Sequence, residues 1–513
     1  MVSNLMALIM LIAQAQGQIL WAAPGPGGIY CAIPGYDYNS DGHPDVIAAA
    51  YYGAYPAPPI RLYLRSGING EVIWTRSDCQ GVWGTRSLRL INDISGDSIP
   101  DIIMGTPGGV FPGRTIFAIN GLTSQTIWSY CYYPTGGWVY SVAPTVDIDN
   151  DGYPEVLVAT GGVSPEYRGF VQCFSGHTGT SLWVFRPNDA AMCVTPHWDI
   201  TGDGVLEVLV AAGGNSLDNR IYCLDGANGT VVWSFLTGNS VEYVLSIGDI
   251  NGNGIPDVVG GGWAYTLYCL EGSNGTLIWQ NNLGSGRVIY ELRRIRDING
   301  DGFDDIVVGS WSSQVSIVSG ATGTVLWSTE VGADCWNIDT LPDLSGDLKQ
   351  EVVVGSLNGR RVAVLDGANG SIIWQYQFLD RVYDVACAGD LNGDQIADVL
   401  VGLQDQQGQA NHLYAFSGLP LSIEENEKSQ KAPELLIYNT KNCLTLALNL
   451  KASDKVTIRL YNLAGQMIEN LVSAPGPDGK IRCTINKAQK KAGIYFLHLA
   501  TQNKIYTLKL PLY

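Results

Sequence analysis

Along most of the chain, apolar residues fall in runs of five or six, bounded by Gly, Asn, Asp or Pro, and no 3.6-residue period competes with them. The pattern predicts strands throughout. One stretch shows the layout, with strands expected at 243–248, 257–261, 266–271 and 275–280. Between the last two lies an Asn-Gly pair, as at positions 228, 274 and 369, which suits a two-residue hairpin turn better than a glycosylation sequon.

The layout repeats. A segment of the form D-x-(D/N/S/T)-x-(D/N)-x-x-x-(D/E) begins at Asp37, Asp93, Asp147, Asp199, Asp249, Asp297, Asp343 and Asp390, at spacings of 56, 54, 52, 50, 48, 46 and 47 residues. In phase with it, Gly70, Gly179, Gly229, Gly275, Gly323 and Gly370 each stand four residues before a Trp: Trp74, Trp183, Trp233, Trp279, Trp327 and Trp374. Trp128 fills the slot in a unit where Ser124 replaces the Gly. The eighth unit, ending near Pro420, has no such segment, whereas residues 17–21 (GQILW) fit the pattern at the other end of the chain. A ring of blades closed by strands from both termini would leave no open sheet edge. The expected fold is therefore all-β: an eight-bladed propeller over 16–420.

The acidic loops carry the chemistry. Hard cations such as Ca2+ take six to eight oxygen ligands, and carboxylates at alternating positions around a Gly turn can supply them. The candidate ligand sets are Asp37, Asn39, Asp41 and Asp45; Asp147, Asp149, Asp151 and Glu155; Asp199, Thr201, Asp203 and Glu207; Asp249, Asn251, Asn253 and Asp257; Asp297, Asn299, Asp301 and Asp305; and Asp390, Asn392, Asp394 and Asp398. In two loops expected to bind weakly the turn Gly is replaced, by Ser98 in the set Asp93, Asp97 and Asp101 and by Leu348 in the set Asp343, Asp347 and Glu351. Together the loops gather 24 of the chain's 48 carboxylates, which would repel one another without a cation. Several structural calcium ions are expected, each pinning the hairpin between strands one and two of its blade.

Charge divides the chain. Residues 1–420 hold 17 basic against 41 acidic side chains, residues 421–513 hold 13 against 7, and all 14 Trp lie in the first part. Two domains of different origin are expected, joined by a polar linker at 421–434. A net charge of −18 argues against a nucleic-acid binder, because phosphate neutralisation needs clustered Lys and Arg. At the start, an apolar run over 5–12 followed by Ala13-Gln14-Ala15 reads as a secretory signal over 1–15, and the run is too short for a membrane span. Eleven Cys exclude a complete disulfide framework, and Cys173, Cys223 and Cys269 recur at one strand position, as buried small hydrophobes would.

These repeats resemble the FG-GAP or VCBS family of calcium-loop propeller blades, and the G-x-x-x-W ends resemble the tryptophan docking motif of quinoprotein propellers. The quinoprotein family's adjacent cysteine pair is missing. Residues 435–513, with VTIRLYNLAGQMIENL, AGIYFLHL and KIYTLKLPLY, are similar to the C-terminal sorting domain of the type IX secretion system. That resemblance implies a small β-sandwich read by export machinery, and a protein secreted or held at the bacterial cell surface.

A ligand is expected on the face opposite the acidic loops. Seven residues before each first Asp stand Tyr30, Arg86, Tyr140, Met192, Glu242, Tyr290, Trp336 and Tyr383, which would ring the channel mouth. Connections between strands two and three add Tyr51, Tyr52, Tyr55, Tyr167, Trp263 and Trp311. Such an aromatic platform suits sugar rings or a peptide. Five His without triad spacing argue against a nucleophilic hydrolase. The reading is a monomeric, non-enzymatic binding module for an extracellular glycan or protein. The alternative is a polysaccharide lyase using Tyr290, Glu291 or Arg86, or another carbohydrate-active enzyme on the same propeller, with Glu242, Glu291 and Asp384 as channel-mouth carboxylates whose removal would separate binder from enzyme.

Overall fold

The computed structural model describes residues 17–25, 28–50, 62–78, 81–82, 84–107, 114–132, 137–162, 169–215, 217–404 and 411–420, and seven strands between 435 and 512. The expected signal segment, the expected linker, and Tyr51, Tyr52, Tyr55 and Tyr167 lie outside the described residues. The chain divides into two compact units, Met1–Leu421 and Ser422–Tyr513.

The first unit is all-β, with one 3-10 turn at Thr85–Ser87 as its single helical element among the described residues. It is built from eight antiparallel four-strand meanders. Their first strands are Ile29–Pro34, Leu88–Ile91, Trp138–Pro144, Ala190–Pro196, Val241–Ser246, Ile289–Ile295, Cys335–Leu341 and Val382–Gly389. The sixth and seventh meanders join at one bridge, Ser310 to Cys335. In the eighth, Val382–Gly389, Asp398–Leu403 and Leu413–Pro420 are completed by the N-terminal strand Gly17–Ala23, which runs antiparallel to Leu413–Pro420 from Gly17 opposite Pro420 to Ala23 opposite Leu413. Each first strand lies against the first strand of the next meander, and that of the eighth returns to that of the first.

In the fifth meander the strands run Val241–Ser246, Val258–Gly262, Thr266–Leu270 and Leu277–Asn282. The fourth starts two residues later than the pattern suggested, because Gly275 at φ +75° belongs to the turn and donates its N–H to the Glu271 carbonyl. Second strands such as Val208–Gly213 are buried at every position, so they read as unbroken apolar runs. Cores lie between neighbouring meanders: Leu209, Ile221 and Cys223 of the fourth pack with Val244, Val258 and Cys269 of the fifth. Cys173, Cys223 and Cys269 form no disulfide and are buried hydrophobes of this core.

The second unit holds two antiparallel sheets. One pairs Leu435–Asn439, Cys443–Asn449 and Lys480–Asn486; the other runs in the order Met467–Ser473, Val456–Asn462, Gly493–Ala500 and Ile505–Leu512.

Candidate functional site

All eight acidic loops share one backbone. The first carboxylate accepts the N–H five residues on, from Gly42, Ser98, Gly152, Gly204, Gly254, Gly302, Leu348 and Gln395 in turn. The last carboxylate accepts the N–H that follows the first, from Tyr38, Ile94, Ile148, Ile200, Ile250, Ile298, Leu344 and Leu391. The turn residue is left-handed even without Gly, at φ +71° for Ser98, +68° for Leu348 and +67° for Gln395. The fold thus imposes the loop, and the expectation that Ser98 and Leu348 weaken their loops is not visible in backbone shape.

The two ends of the loop differ electrostatically. The last carboxylates, Asp45, Asp101, Glu155, Glu207, Asp257, Asp305, Glu351 and Asp398, are fully buried. Burial pushes Asp45 up to about 6 and Asp398 to about 7. At the exposed end, the backbone N–H groups of Gly254 and Leu348 hold Asp249 and Asp343 below the usual carboxylate range. Carboxylate oxygens of Asp147, Asp149, Asp151 and Glu155 lie within 4.8 Å of one another, as do those of Asp343, Asp347 and Glu351. An all-oxygen set of this kind fits a hard divalent cation.

One glycine ties each loop to the neighbouring meander, a position that sequence reasoning missed. The carbonyls of Gly67, Gly121, Gly176, Gly226, Gly272, Gly320, Gly367 and Gly418 accept the indole N–H of Trp21, Trp74, Trp128, Trp183, Trp233, Trp279, Trp327 and Trp374, each from the preceding meander, at 2.6–2.9 Å. Except at Gly226, the same glycine's N–H donates to the buried last carboxylate of its own loop. A signal was present: seven of these glycines stand seven residues before the next Trp. The glycines of the G-x-x-x-W segments, Gly70, Gly179, Gly229, Gly275, Gly323 and Gly370, are left-handed and pack on the preceding meander's Trp ring.

At the opposite end, the eight mouth residues share a cause that composition cannot show. In seven first strands a register shift leaves one residue out of the pairing: Tyr30, Tyr140, Met192, Glu242, Tyr290, Trp336 and Tyr383. Arg86 takes the equivalent place in the 3-10 turn. Bulges re-aim side chains, so one backbone device presents a different residue per meander.

The aromatics form an arc. Tyr30 stacks on Tyr383 with centroids 3.6 Å apart; Trp336 meets Tyr383 edge-on at 6.0 Å and stacks on Tyr290 at 5.1 Å. Trp311 stands nearly perpendicular to Tyr290 at 5.9 Å and to Trp263 at 6.1 Å. The expected open ring needs correction: Tyr30, Tyr140 and Tyr383 are buried, and their faces are taken up by packing. Tyr290, Trp336 and Trp263 are half-buried, and Trp311 is 44% exposed.

The three carboxylates expected at the mouth are buried as well. Glu242 accepts the Trp263 indole N–H at 2.8 Å, and Arg86 donates to the Glu242 backbone carbonyl while lying 5.3 Å from the Tyr243 ring centre. Glu291 pairs with Arg293 at 2.6 Å, and Asp384 accepts the Ala32 N–H of the first meander. Asn337 and Ser141 make the same kind of bond to Val385 and Val194 of the following meanders. Asp384 therefore acts in ring closure. As lyase bases these groups are poorly set: burial pushes the Tyr290 hydroxyl up to about 12, and Glu291 is held by Arg293.

A family model described as outer membrane protein assembly factor BamB matches residues 154–376, and one described as a secretion system C-terminal sorting domain matches residues 440–512. Protein FAM234B of Gallus gallus is 25% identical over a 201-residue alignment that covers 37% of this chain and 31% of the chicken protein. The chain thus spans about a third of that relative's length. Among solved structures, Sqt1 of Saccharomyces cerevisiae superposes with a TM-score of 0.58 at 9% identity, covering 79% of this chain and 100% of its own. The computationally designed Ika8 protein gives 0.54 at 14% identity over 78% and 100% of the two chains. A quinohemoprotein alcohol dehydrogenase from Pseudomonas putida HK5 gives 0.52 at 11% identity over 83% and 80%. At such identities these likenesses speak for the fold alone. The chain carries a propeller-like all-β domain and a secretion-system sorting tail, and it is secreted or displayed at the cell surface. No helix among the described residues is long and apolar enough to cross a membrane.

Proposed function

We propose that the first unit is a closed eight-bladed propeller of the FG-GAP or VCBS kind, stapled by calcium in its acidic loops, which binds an extracellular glycan or protein at its aromatic mouth. The sorting tail, a small β-sandwich in this reading, hands the chain to type IX export machinery. The observation that carries the binding role is the open part of the arc, in which a repeated bulge sets Tyr290 and Trp336 on first strands and the turns after two second strands bring Trp311 and Trp263 beside them, with buried Tyr30 and Tyr383 packed behind. Support for the ring comes from the eight meanders, the cyclic order of their first strands and the terminal strand that completes the eighth. A cation in each loop would relieve the burial of Asp45 and Asp398 by holding them ionised next to positive charge.

The test is to incubate the full chain, with calcium, against polysaccharides and extracellular proteins, and to read retention and polymer size together. Retention with polymer length unchanged is the expected result. Shortened chains with unsaturated ends would replace this function with a lyase, and no retention on any ligand would remove the binding role.

A further inference from the structure

Of the rings in the arc, Trp311 is the one most open to solvent, and it is flanked by half-buried Trp263, Tyr290 and Trp336. Trp263 and Trp311 occupy equivalent turns between strands two and three of adjacent meanders: the Trp263 N–H donates to the Ser240 carbonyl and the Trp311 N–H to that of Val288. The fold therefore puts two indoles side by side at the rim, with a stacked Tyr290–Trp336 pair beside them.

The charges around this strip select among ligands. Tyr290 lies in the fields of Glu242, Arg86 and Asp334, two acids against one base. The guanidinium of Arg86 is already engaged by the Glu242 carbonyl and the Tyr243 ring. Glu242 is bonded to Trp263, and Asp334 takes a hydrogen bond from Asn358. Among the described residues of this strip no free cation is therefore on offer to a carboxylate or sulfate. Nor are the carboxylates disposed to hold an ammonium, since Glu242 is buried and sits in the field of Arg86. What remains is the exposed Trp311 ring, walled by Trp263 and Tyr290 standing nearly perpendicular to it and edged by polar groups, which matches the C–H face and hydroxyl rim of an uncharged pyranose.

We infer that Trp311, with Trp263, Tyr290 and Trp336, forms a subsite for neutral polysaccharide. This inference rests on the binding role proposed above and adds the class of ligand. The experiment is affinity electrophoresis of the full chain in gels containing a neutral β-glucan or galactomannan, or the anionic alginate or polygalacturonate, backed by tryptophan fluorescence titration. Trp311→Ala and Trp336→Ala are compared with Trp198→Ala, which removes a half-exposed Trp at the acidic-loop end. Trp311→Tyr keeps a stacking ring. Retardation by a neutral polymer, weakened roughly tenfold or more in W311A, largely restored in W311Y and unchanged in W198A, is the expected result. Retardation by anionic polymers alone, still lost in W311A, would overturn the neutral-sugar class while leaving the mouth as a binding site. Binding that W311A and W336A leave untouched in natively melting protein would overturn both readings. If no polysaccharide of either class binds, the inference fails, and the protein arm of the preceding test decides whether a binding role survives.

Discussion

Gly272 is where the acidic loop of the fifth meander meets the tryptophan of the fourth, and a single methyl group there should be costly. Its N–H donates to Asp257 at 3.1 Å and its carbonyl accepts the Trp233 indole N–H at 2.8 Å. A Cβ on Gly272 would overlap the Pro256 carbonyl oxygen and come within 2.9 Å of His197 Nε2. Relieving the overlap moves the glycine backbone away from both partners. Losing the bond to the carboxylate costs about 2 kcal/mol, losing the one to the indole about 1 kcal/mol, and the overpacking adds roughly 1–3 kcal/mol. Gly272→Ala should therefore destabilise the domain by roughly 4–6 kcal/mol. Gly254 supplies the control: it lies in the loop of the same meander at φ +87°, with no atom within 4 Å of a built Cβ. Gly254→Ala bears only the left-handed backbone penalty, about 1–2 kcal/mol. Unfolding entropy of about 2.1 cal/mol/K per residue gives roughly 0.8 kcal/mol/K for a cooperative domain of about 400 residues. The expected melting shifts are thus about 6 °C for G272A and about 2 °C for G254A, read by circular dichroism. Trp233 emission should also shift to the red in G272A alone. Equal shifts in the two variants, or unchanged emission in G272A, would refute the idea that one glycine couples loop to neighbouring tryptophan.

Leu348 is 91% exposed at φ +68°, so Leu348→Gly should raise stability by about 0.5–1 kcal/mol, and a lower melting temperature would contradict the strain argument. Burial, against the Ala32 N–H and near Glu291, Asp339 and Arg293, raises Asp384 to about 7. A carboxyl raised above its unfolded value destabilises progressively from about pH 4 to its folded value and no further beyond it. Asp384→Asn keeps an acceptor for Ala32, so its melting temperature should match the parent near pH 4 and exceed it by pH 8; a gap that stays flat across this range would remove the charge argument. Chelation at pH 7 should lower the melting temperature by several degrees, since each site at a hundredfold excess of cation over its Kd adds about 2.7 kcal/mol. Glu351→Gln should shrink that response, and a melt indifferent to chelator would end the calcium reading.

Much of the architecture was written in periodicity. Regular spacing of Asp37 to Asp390, with a Trp in phase, marks eight units because each must bury its faces against a like neighbour, and the displaced GQILW segment marks the closing strand because an unpaired edge is unfavourable. The acidic loops were legible for the same reason: ligand-type residues stand at fixed offsets along the chain. Pairings between meanders were not. That Gly272 serves Asp257 and Trp233 at once depends on two segments meeting, and no local pattern encodes the meeting. The mouth residues were found by counting back from each Asp, but their projection comes from a bulge, which depends on strand register and carries no residue signature. Their exposure was decided later still, by packing. Identical sequence positions leave Tyr30 buried against Tyr383 and Tyr290 half-open beside Trp311, because accessibility depends on which neighbours the closed ring brings to each face.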